Sequence, residues 1–219
     1  FYGLSEDAKS RMKQGFGRIV KFGSKDPVWD GTWTVATFTT PEEQRDTRSV
    51  LRQKLRWLGL APLFDGVWVS PSAEPEGVAS AFASLGVSAS AVFRTREVIG
   101  SLALSSAWNL DELQHQYDAF ITEGRVLADQ LSKGDVTVAK ALTARTALMD
   151  RWRSFPSLDP DLPAELLPAD WPRHQAWELF ATLYEALGPF AELRVKQCIE
   201  LYSPELAPLV ERRTIQLPN

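Results

Sequence analysis

Cysteine is almost absent, with Cys198 the only one among 219 residues. No internal disulfide can form, and a reducing, cytoplasmic setting is expected. Histidine is nearly as scarce. His115 and His174 stand alone, without the three or four clustered ligands that a zinc site needs. His115 is expected on a helix surface, and Cys198 as a small buried hydrophobe on a helix. No P-loop, GxGxxG or GxSxG motif occurs, so the usual phosphate-cradling and serine-nucleophile signatures are missing. No run reaches the roughly 18 consecutive apolar residues of a membrane span, and no signal peptide is apparent. A basic excess is lacking too. The net charge of −4 gives the whole chain no drive toward nucleic acid, although a local basic patch stays open. No metal and no cofactor are expected, and there is no internal repeat or low-complexity tract.

What is present is an ordinary globular composition, 44% hydrophobic and 24% charged. The length suits one large or two small domains. Eight tryptophans suggest broad flat cores or ring-lined pockets.

Phe1 sits in mid-pattern, so a natural upstream segment is expected. Phe1 to Leu4 reads as a strand end. Ser5 caps a helix, with Glu6 and Asp7 favourably placed in its first turn. Gly15 and Gly17 weaken that helix, and Arg18-Ile19-Val20 follows as a short strand. This end is locally basic. Lys9, Arg11, Lys13 and Arg18 belong either to a solvated helix or to a surface touching DNA phosphates.

Thr32 to Thr39 alternates, with Trp33, Val35 and Thr37 on one side and Thr34, Ala36 and Phe38 on the other. It predicts a strand covered on both faces. Pro41-Glu42-Glu43 opens a helix that ends before Gly59. Leu51, Leu55 and Leu58 form its apolar stripe. Arg45, Arg48, Arg52 and Arg56 form a second stripe beside it. Asp65-Gly66 between two apolar runs predicts a type I′ hairpin. Glu76 to Leu85 is a helix and Val87 to Arg96 a strand. The succession strand, helix, strand, strand, helix, strand is the ferredoxin-like split βαβ pattern.

Beyond Ser106 the periodicity becomes helical. Asn109 and Glu112 start one helix, with Leu113, Tyr117, Phe120 and Ile121 inward. Asp135 caps a second, which carries Ala141, Leu148 and Trp152. Asp170 caps a third, with Trp177, Phe180, Tyr184 and Leu187 inward. Gly188-Pro189 is expected to break it, leaving a fourth helix over 190–201 and a short fifth from Pro204. Residues 212–219 are expected to fray.

Between the second and third helices runs Trp152 to Pro172, WRSFPSLDPDLPAELLPADWP. Its prolines fix φ and restrain the residues before them. Its large apolar residues predict an ordered strap pinned to its surroundings rather than a disordered linker. Asp159 and Asp161 flank Pro160 and read as caps or Asx-turns, with a catalytic carboxylate pair as the alternative.

Two chemical readings stay open. The arginine stripe is either a solvated face with acidic partners or a seat for a phosphate-bearing ligand. Trp57 and Trp108, with Trp29 and Trp68, either stack on such a ligand or fill cores. A nuclease is the enzymatic alternative, with Asp30 as its acid, although Asp30 precedes the strand rather than ending it.

WRxFPxxDPxLPxxLLPxxWP resembles the C-terminal region of the PaaX family of bacterial transcriptional repressors. Trp29-Asp30-Gly31-Thr32-Trp33, LRQKLRWLGLAPLFDGVWVSP (Leu51 to Pro71) and WNLDELQHQYDAF (Trp108 to Phe120) resemble further family motifs, in the family's order. The resemblance implies an α+β protein in three parts. Residues 1–26 would be the tail of a winged-helix DNA-binding domain, 27–105 a ferredoxin-like middle domain, and 106–219 an all-α domain. It also implies a dimeric, non-enzymatic repressor of an aromatic-acid operon, especially phenylacetate, acting on operator DNA. An aromatic acyl-CoA such as phenylacetyl-CoA would relieve DNA binding. The reading helix would lie upstream, leaving Lys9, Arg11, Lys13 and Arg18 as phosphate contacts at most. Arg45, Arg48, Arg52, Arg56, Trp57 and Trp108 would bind the effector. A CoA-ester enzyme and a scaffold module without a ligand are the competing readings.

Overall fold

A computed structural model describes residues 5–40 and 45–215. The strand end expected at Phe1 to Leu4, the helix opening at Pro41-Glu42-Glu43 and positions 216–219 lie outside the described residues. The elements run α1 (Glu6–Lys21), β1 (Trp33–Phe38), α2 (Arg45–Trp57), β2 (Ala61–Phe64), β3 (Val67–Ser70), α3 (Pro75–Ser84), β4 (Ser90–Thr95), α4 (Leu110–Ser132), α5 (Val138–Trp152), α6 (Phe155–Leu158) and α7 (Arg173–Glu200). Short 3-10 turns occupy Leu104–Ala107, Ala164–Leu166 and Pro204–Leu209. The chain is thus a mixture of helix and antiparallel sheet. It divides into a helical unit (Phe1–Lys25, Glu112–Asp159, Asp170–Asn219) and a sheet unit (Asp26–Asp111, Pro160–Ala169).

In the sheet unit the strands lie in the order β2-β3-β1-β4, every pair antiparallel. The alternation of β1 sends Ala36 and Phe38 into one core with Leu51, Leu55, Trp68, Val78 and Phe82. It sends Trp33 and Val35 into another with Val69. A strand side chain alternates faces by geometry, so the pattern read from TWTVATFT is the pattern seen. Leu51 and Leu55 of α2 are wholly buried, each worth roughly 1.5–3 kcal/mol of transfer free energy. Thr34 Oγ1 donates to the Ala73 carbonyl at 2.7 Å, which satisfies a buried hydroxyl.

The hairpin is not type I′. That turn needs positive φ at both central residues, and of the two only Gly66 has it, at 77°. The register shifts between Pro62 and Phe64, and this bulge takes up the difference. Gly66 is required for a second reason. A Cβ there would lie 2.5 Å from the Phe38 carbonyl oxygen, because the Gly66 carbonyl accepts from Phe38 N at 2.9 Å.

The helical unit is organised on aromatic rings. Trp152 stacks on Phe180 with centroids 4.7 Å apart, and Tyr117 on Phe155 at 4.2 Å. Phe120 fits edge-on to Phe155 at 5.6 Å. These residues occupy the inward positions predicted from spacing on α4, α5 and α7.

Several local expectations are corrected. Arg18-Ile19-Val20 is not a strand but the last turn of α1. Its carbonyls explain why: Arg18 O accepts from Phe22 N, and Lys21 O from Ser24 N and Oγ. Ile19 O accepts from the Trp152 indole at 3.0 Å, and Val20 O from the Trp177 indole at 2.7 Å. A helix end has four orphan carbonyls, and all four here are taken. Gly188-Pro189 does not break α7, which runs unbroken to Glu200 with Pro189 inside it. An interior proline costs about 3 kcal/mol, and burial of Leu183, Tyr184, Leu187 and Ala191 around it offsets the loss. Thr137, not Asp135, caps α5 and accepts from Lys140 N. Pro172, not Asp170, occupies the N-cap of α7. Asp170 instead takes a positive φ of 59°. Cys198 is half-buried rather than buried.

The proline strap is ordered but unevenly pinned. Trp152, Phe155 and Leu162 are buried, whereas Leu158 is 52% exposed. Phe155 belongs to the helical core and Leu166 packs beside Trp33 and Trp108 in the sheet unit.

Candidate functional site

Helix α2 presents its arginines on one face, as the spacing predicts. The side chain of Arg45 lies outside the described residues. Arg48 and Arg52 both reach the hairpin carboxylate of Asp65, at 3.1 Å and 3.0 Å. All three side chains are 40% exposed or more, so each pair is worth at most about 1 kcal/mol. Arg56 turns over the Trp68 ring, 5.7 Å from its centroid. Trp57 is 85% exposed.

Trp108 is not with them. It packs in the core of the opposite sheet face, 6.3 Å from Trp33, whose other neighbour Trp29 meets it edge-on at 5.7 Å. A hollow of about 520 Å³ opens on that face, lined by Trp33, Val98, Leu102, Leu104, Leu110, Leu166 and others. The structure brings Arg48, Arg52, Arg56 and Trp57 together on α2 and puts the sheet between them and Trp108.

Asp30 is a local strut. Its carboxylate accepts from Thr32 N at 2.8 Å and from Arg94 at 2.9 Å. Desolvation raises its pKa, but the Thr32 hydrogen bonds and the Arg94 charge outweigh that and hold it below the usual carboxylate range. Among the described residues no three His, Cys, Asp or Glu side chains converge as metal ligands would.

Asp159 is the C-cap of α6, its N–H donating to the Phe155 carbonyl at 2.8 Å. It is buried, accepting from Tyr117 Oη at 2.6 Å, with Arg173 Nη1 at 3.4 Å. Asp161 belongs to the sheet unit and takes a positive φ of 53°. A buried carboxylate held by a cation and a phenol ties α4 to the start of α7. Removing one member of such a pair typically costs 3–5 kcal/mol.

In the helical unit, two of the four expected phosphate-contact residues are occupied within α1. Lys9 pairs with Glu6 at 2.8 Å and Arg11 with Asp7 at 3.0 Å. Arg18 is exposed. Lys13 instead faces a groove of about 780 Å³ between α1, Trp177 of α7 and the segment 212–215. Four cations that spacing did not single out join it there: Lys21, Lys25, Arg212 and Arg213. They come from both ends of the chain, and no periodicity connects them. The far wall is latched. Arg145 donates to the Tyr184 carbonyl at 3.0 Å and to the Arg213 carbonyl at 2.6 Å. Its guanidinium lies 3.6 Å from the centroid of the Tyr184 ring. Burial pushes the Arg145 pKa down and that of Tyr184 up. Ile215 N donates to Glu185 Oε1 at 2.6 Å, and the Ile215 side chain is buried.

Two family models match in sequence order. The PaaX protein central Cas2-like domain matches residues 26–106, and the PaaX-like protein C-terminal domain matches residues 108–197. The chain belongs to the PaaX family. The Transcriptional repressor PaaX of Escherichia coli (strain K12) is 27% identical over 202 residues, covering 87% of this chain and 62% of that protein. The chain therefore spans about three-fifths of the length of that curated relative. The uncharacterized protein Rv0674 from Mycobacterium tuberculosis is 21% identical, with a TM-score of 0.47 over 86% of this chain and 73% of that one. The PaaX central match takes in the whole sheet with α2 and α3, and the C-terminal match takes in α4, α5 and most of α7. Helix α1 and the segment 212–215 fall outside both PaaX matches.

Proposed function

We propose that this PaaX-family chain is the body of a cytoplasmic, homodimeric transcriptional repressor of an aromatic-acid operon, such as one for phenylacetate. We further propose that an aromatic acyl-CoA, phenylacetyl-CoA for example, relieves its hold on operator DNA. The observation that carries the reading is the ordered pair of PaaX domain matches, supported by the 27% identity to a repressor. On this reading DNA is met through an upstream winged helix, with residues 1–26 as its exit and Lys9, Arg11, Lys13 and Arg18 near phosphates. The strand order β2-β3-β1-β4 favours a ferredoxin-like middle domain. Effector binding and operator binding would be linked: a ligand that prefers one conformation shifts DNA affinity by the same free energy. The arginine row Arg45, Arg48, Arg52 and Arg56 with Trp57 is the proposed contact for the effector's phosphates, in competition with Asp65. The enzymatic alternative draws no support from Asp30, whose carboxylate is spent on Thr32 and Arg94.

The test is retardation of promoter DNA by the full-length protein at low salt, with and without thioester. Retardation relieved by phenylacetyl-CoA, and not by phenylacetate or free CoA, is the expected result. No retardation at all would sink the repressor reading. Retardation indifferent to every acyl-CoA would sink the effector. If Arg48→Ala with Arg52→Ala leaves the thioester's thermal shift intact, the arginine row is not its seat.

A further inference from the structure

The groove between α1 and the segment 212–215 gathers Lys13, Lys21, Lys25, Arg212 and Arg213, and no acidic side chain lines it among the described residues. None of the five is in an ion pair with a described residue, in contrast to Lys9, Arg11, Arg48 and Arg52. Arg212 Nε is buried without a hydrogen-bond partner among the described residues. Its side chain is seated against Gly188, where an added Cβ would lie 2.7 Å from Arg212 Cδ. So a glycine makes room for this guanidinium. The nearby Glu192 carboxyl bonds to Lys196 rather than to it; that bond, and with it the Arg212 charge, holds Glu192 below its usual range. Beneath the cations lies an apolar floor of Phe16, Val20, Trp177 and Ile215. Like charges gathered around one groove repel one another, and a bound anion relieves that repulsion. The arrangement is stabilised by a ligand that is anionic at one end and flat or apolar at the other.

We propose that this groove is a binding site for a small, multiply phosphorylated organic ligand of the nucleotide type, its phosphates on the lysines and arginines and its ring over the Phe16 and Trp177 floor. The size fits: small-molecule sites run from about 300 to 1,000 Å³. An inorganic ion alone would leave most of the hollow unfilled. A duplex backbone is a convex rail of phosphates and makes no use of a recessed apolar floor. Arginine supplies paired donors for phosphate and lysine a mobile point charge, and both are present. Latching of the wall by Arg145 and Glu185 means the site exists before the ligand arrives, which lowers the ordering cost of binding.

The inference is independent of the effector reading, and it is measured without operator DNA, so the two fail separately. ADP, pyrophosphate and adenosine are titrated against the chain, with thermal shift and isothermal calorimetry as readouts. ADP is expected to bind and raise Tm, pyrophosphate to bind more weakly, and adenosine not to bind. Lys21→Gln with Arg213→Gln is expected to weaken ADP by at least about tenfold, a change calorimetry resolves easily. The fold should survive, because Arg213 is latched through its backbone carbonyl and Lys21 is exposed; an unchanged ligand-free Tm checks this. Lys133→Gln with Lys140→Gln, exposed cations of the same unit outside the groove, should leave ADP binding as it was. The proposal is overturned if neither ADP nor pyrophosphate binds. It is equally overturned if the groove variant binds ADP like the parent, or if the Lys133→Gln, Lys140→Gln variant loses ADP binding to the same extent. A DNA duplex that binds through Lys21 and Arg213 while ADP does not would reassign the groove to nucleic acid.

Discussion

The chain has two basic surfaces, and they differ in what answers them. On α2 the guanidiniums of Arg48 and Arg52 share Asp65, and Arg56 rests on an indole. In the helical unit five cations line a hollow, and none of them is ion-paired to a carboxylate among the described residues. The first surface has one of its charges answered by Asp65; the second has none answered by an ion pair among the described residues. A row of arginines on a helix is therefore poor grounds for a ligand site until the neighbouring turns are known. A cluster assembled from distant segments, with a shaped floor and no ion pair among the described residues, is better grounds.

The largest effect should come from the scaffold of the second surface. Trp152→Ala removes a fully buried ring and the donor that caps Ile19, and should destabilise by about 3–5 kcal/mol in urea unfolding. Trp152→Phe keeps one ring and loses the donor with part of the buried indole, so a smaller loss of about 1–3 kcal/mol is expected. Equal losses for the two variants would mean that the bond to the α1 carbonyl carries the whole effect and the ring none; a negligible loss for Trp152→Phe would mean that the bond does not matter. Arg145→Met comes next. It strips two charged hydrogen bonds that hold Tyr184 and Arg213, each worth about 1.5–3 kcal/mol, although half-exposure reduces this. ADP affinity should fall with it, because the wall of the groove loosens. Gly188→Ala should lower ADP affinity with a small change in Tm, since the Arg212 side chain can move aside from the new methyl. Asp65→Asn should have the smallest effect on stability, within about 1 kcal/mol. It should also free Arg48 and Arg52, so that pyrophosphate binding at α2, measured by calorimetry in the Lys21→Gln, Arg213→Gln background, rises. If it does not, the difference between the two surfaces is not one of neutralisation.

The sequence made much of this visible where periodicity is strict. The alternation in TWTVATFT assigned side chains to the two faces of β1, and the helical spacing picked out Tyr117, Phe120, Trp152 and Phe180. It misled where long-range packing overrides a local signal. Gly188-Pro189 looks like a stop, but α7 is held on both sides of it. Arg18-Ile19-Val20 looks like a strand, but indoles more than 130 residues away in sequence, on α5 and α7, terminate it as helix. The candidate site divides the same way. The α2 row follows from i, i+3, i+4 geometry. Its partner Asp65 lies beyond a separate strand, and Trp108 falls on the far side of the sheet. Of the groove only the local basicity around Lys13 was legible, because nothing in the spacing links residues 13–25 to 212–215.

The end of α1 hangs on two ring nitrogens, and this gives the molecule its own strain gauge. Any pull on that helix must lengthen Trp152 Nε1 to Ile19 O or Trp177 Nε1 to Val20 O before it disturbs the aromatic stack beneath. Both indole protons should therefore exchange slowly and resonate downfield at rest, and both should move together when the helix is tugged.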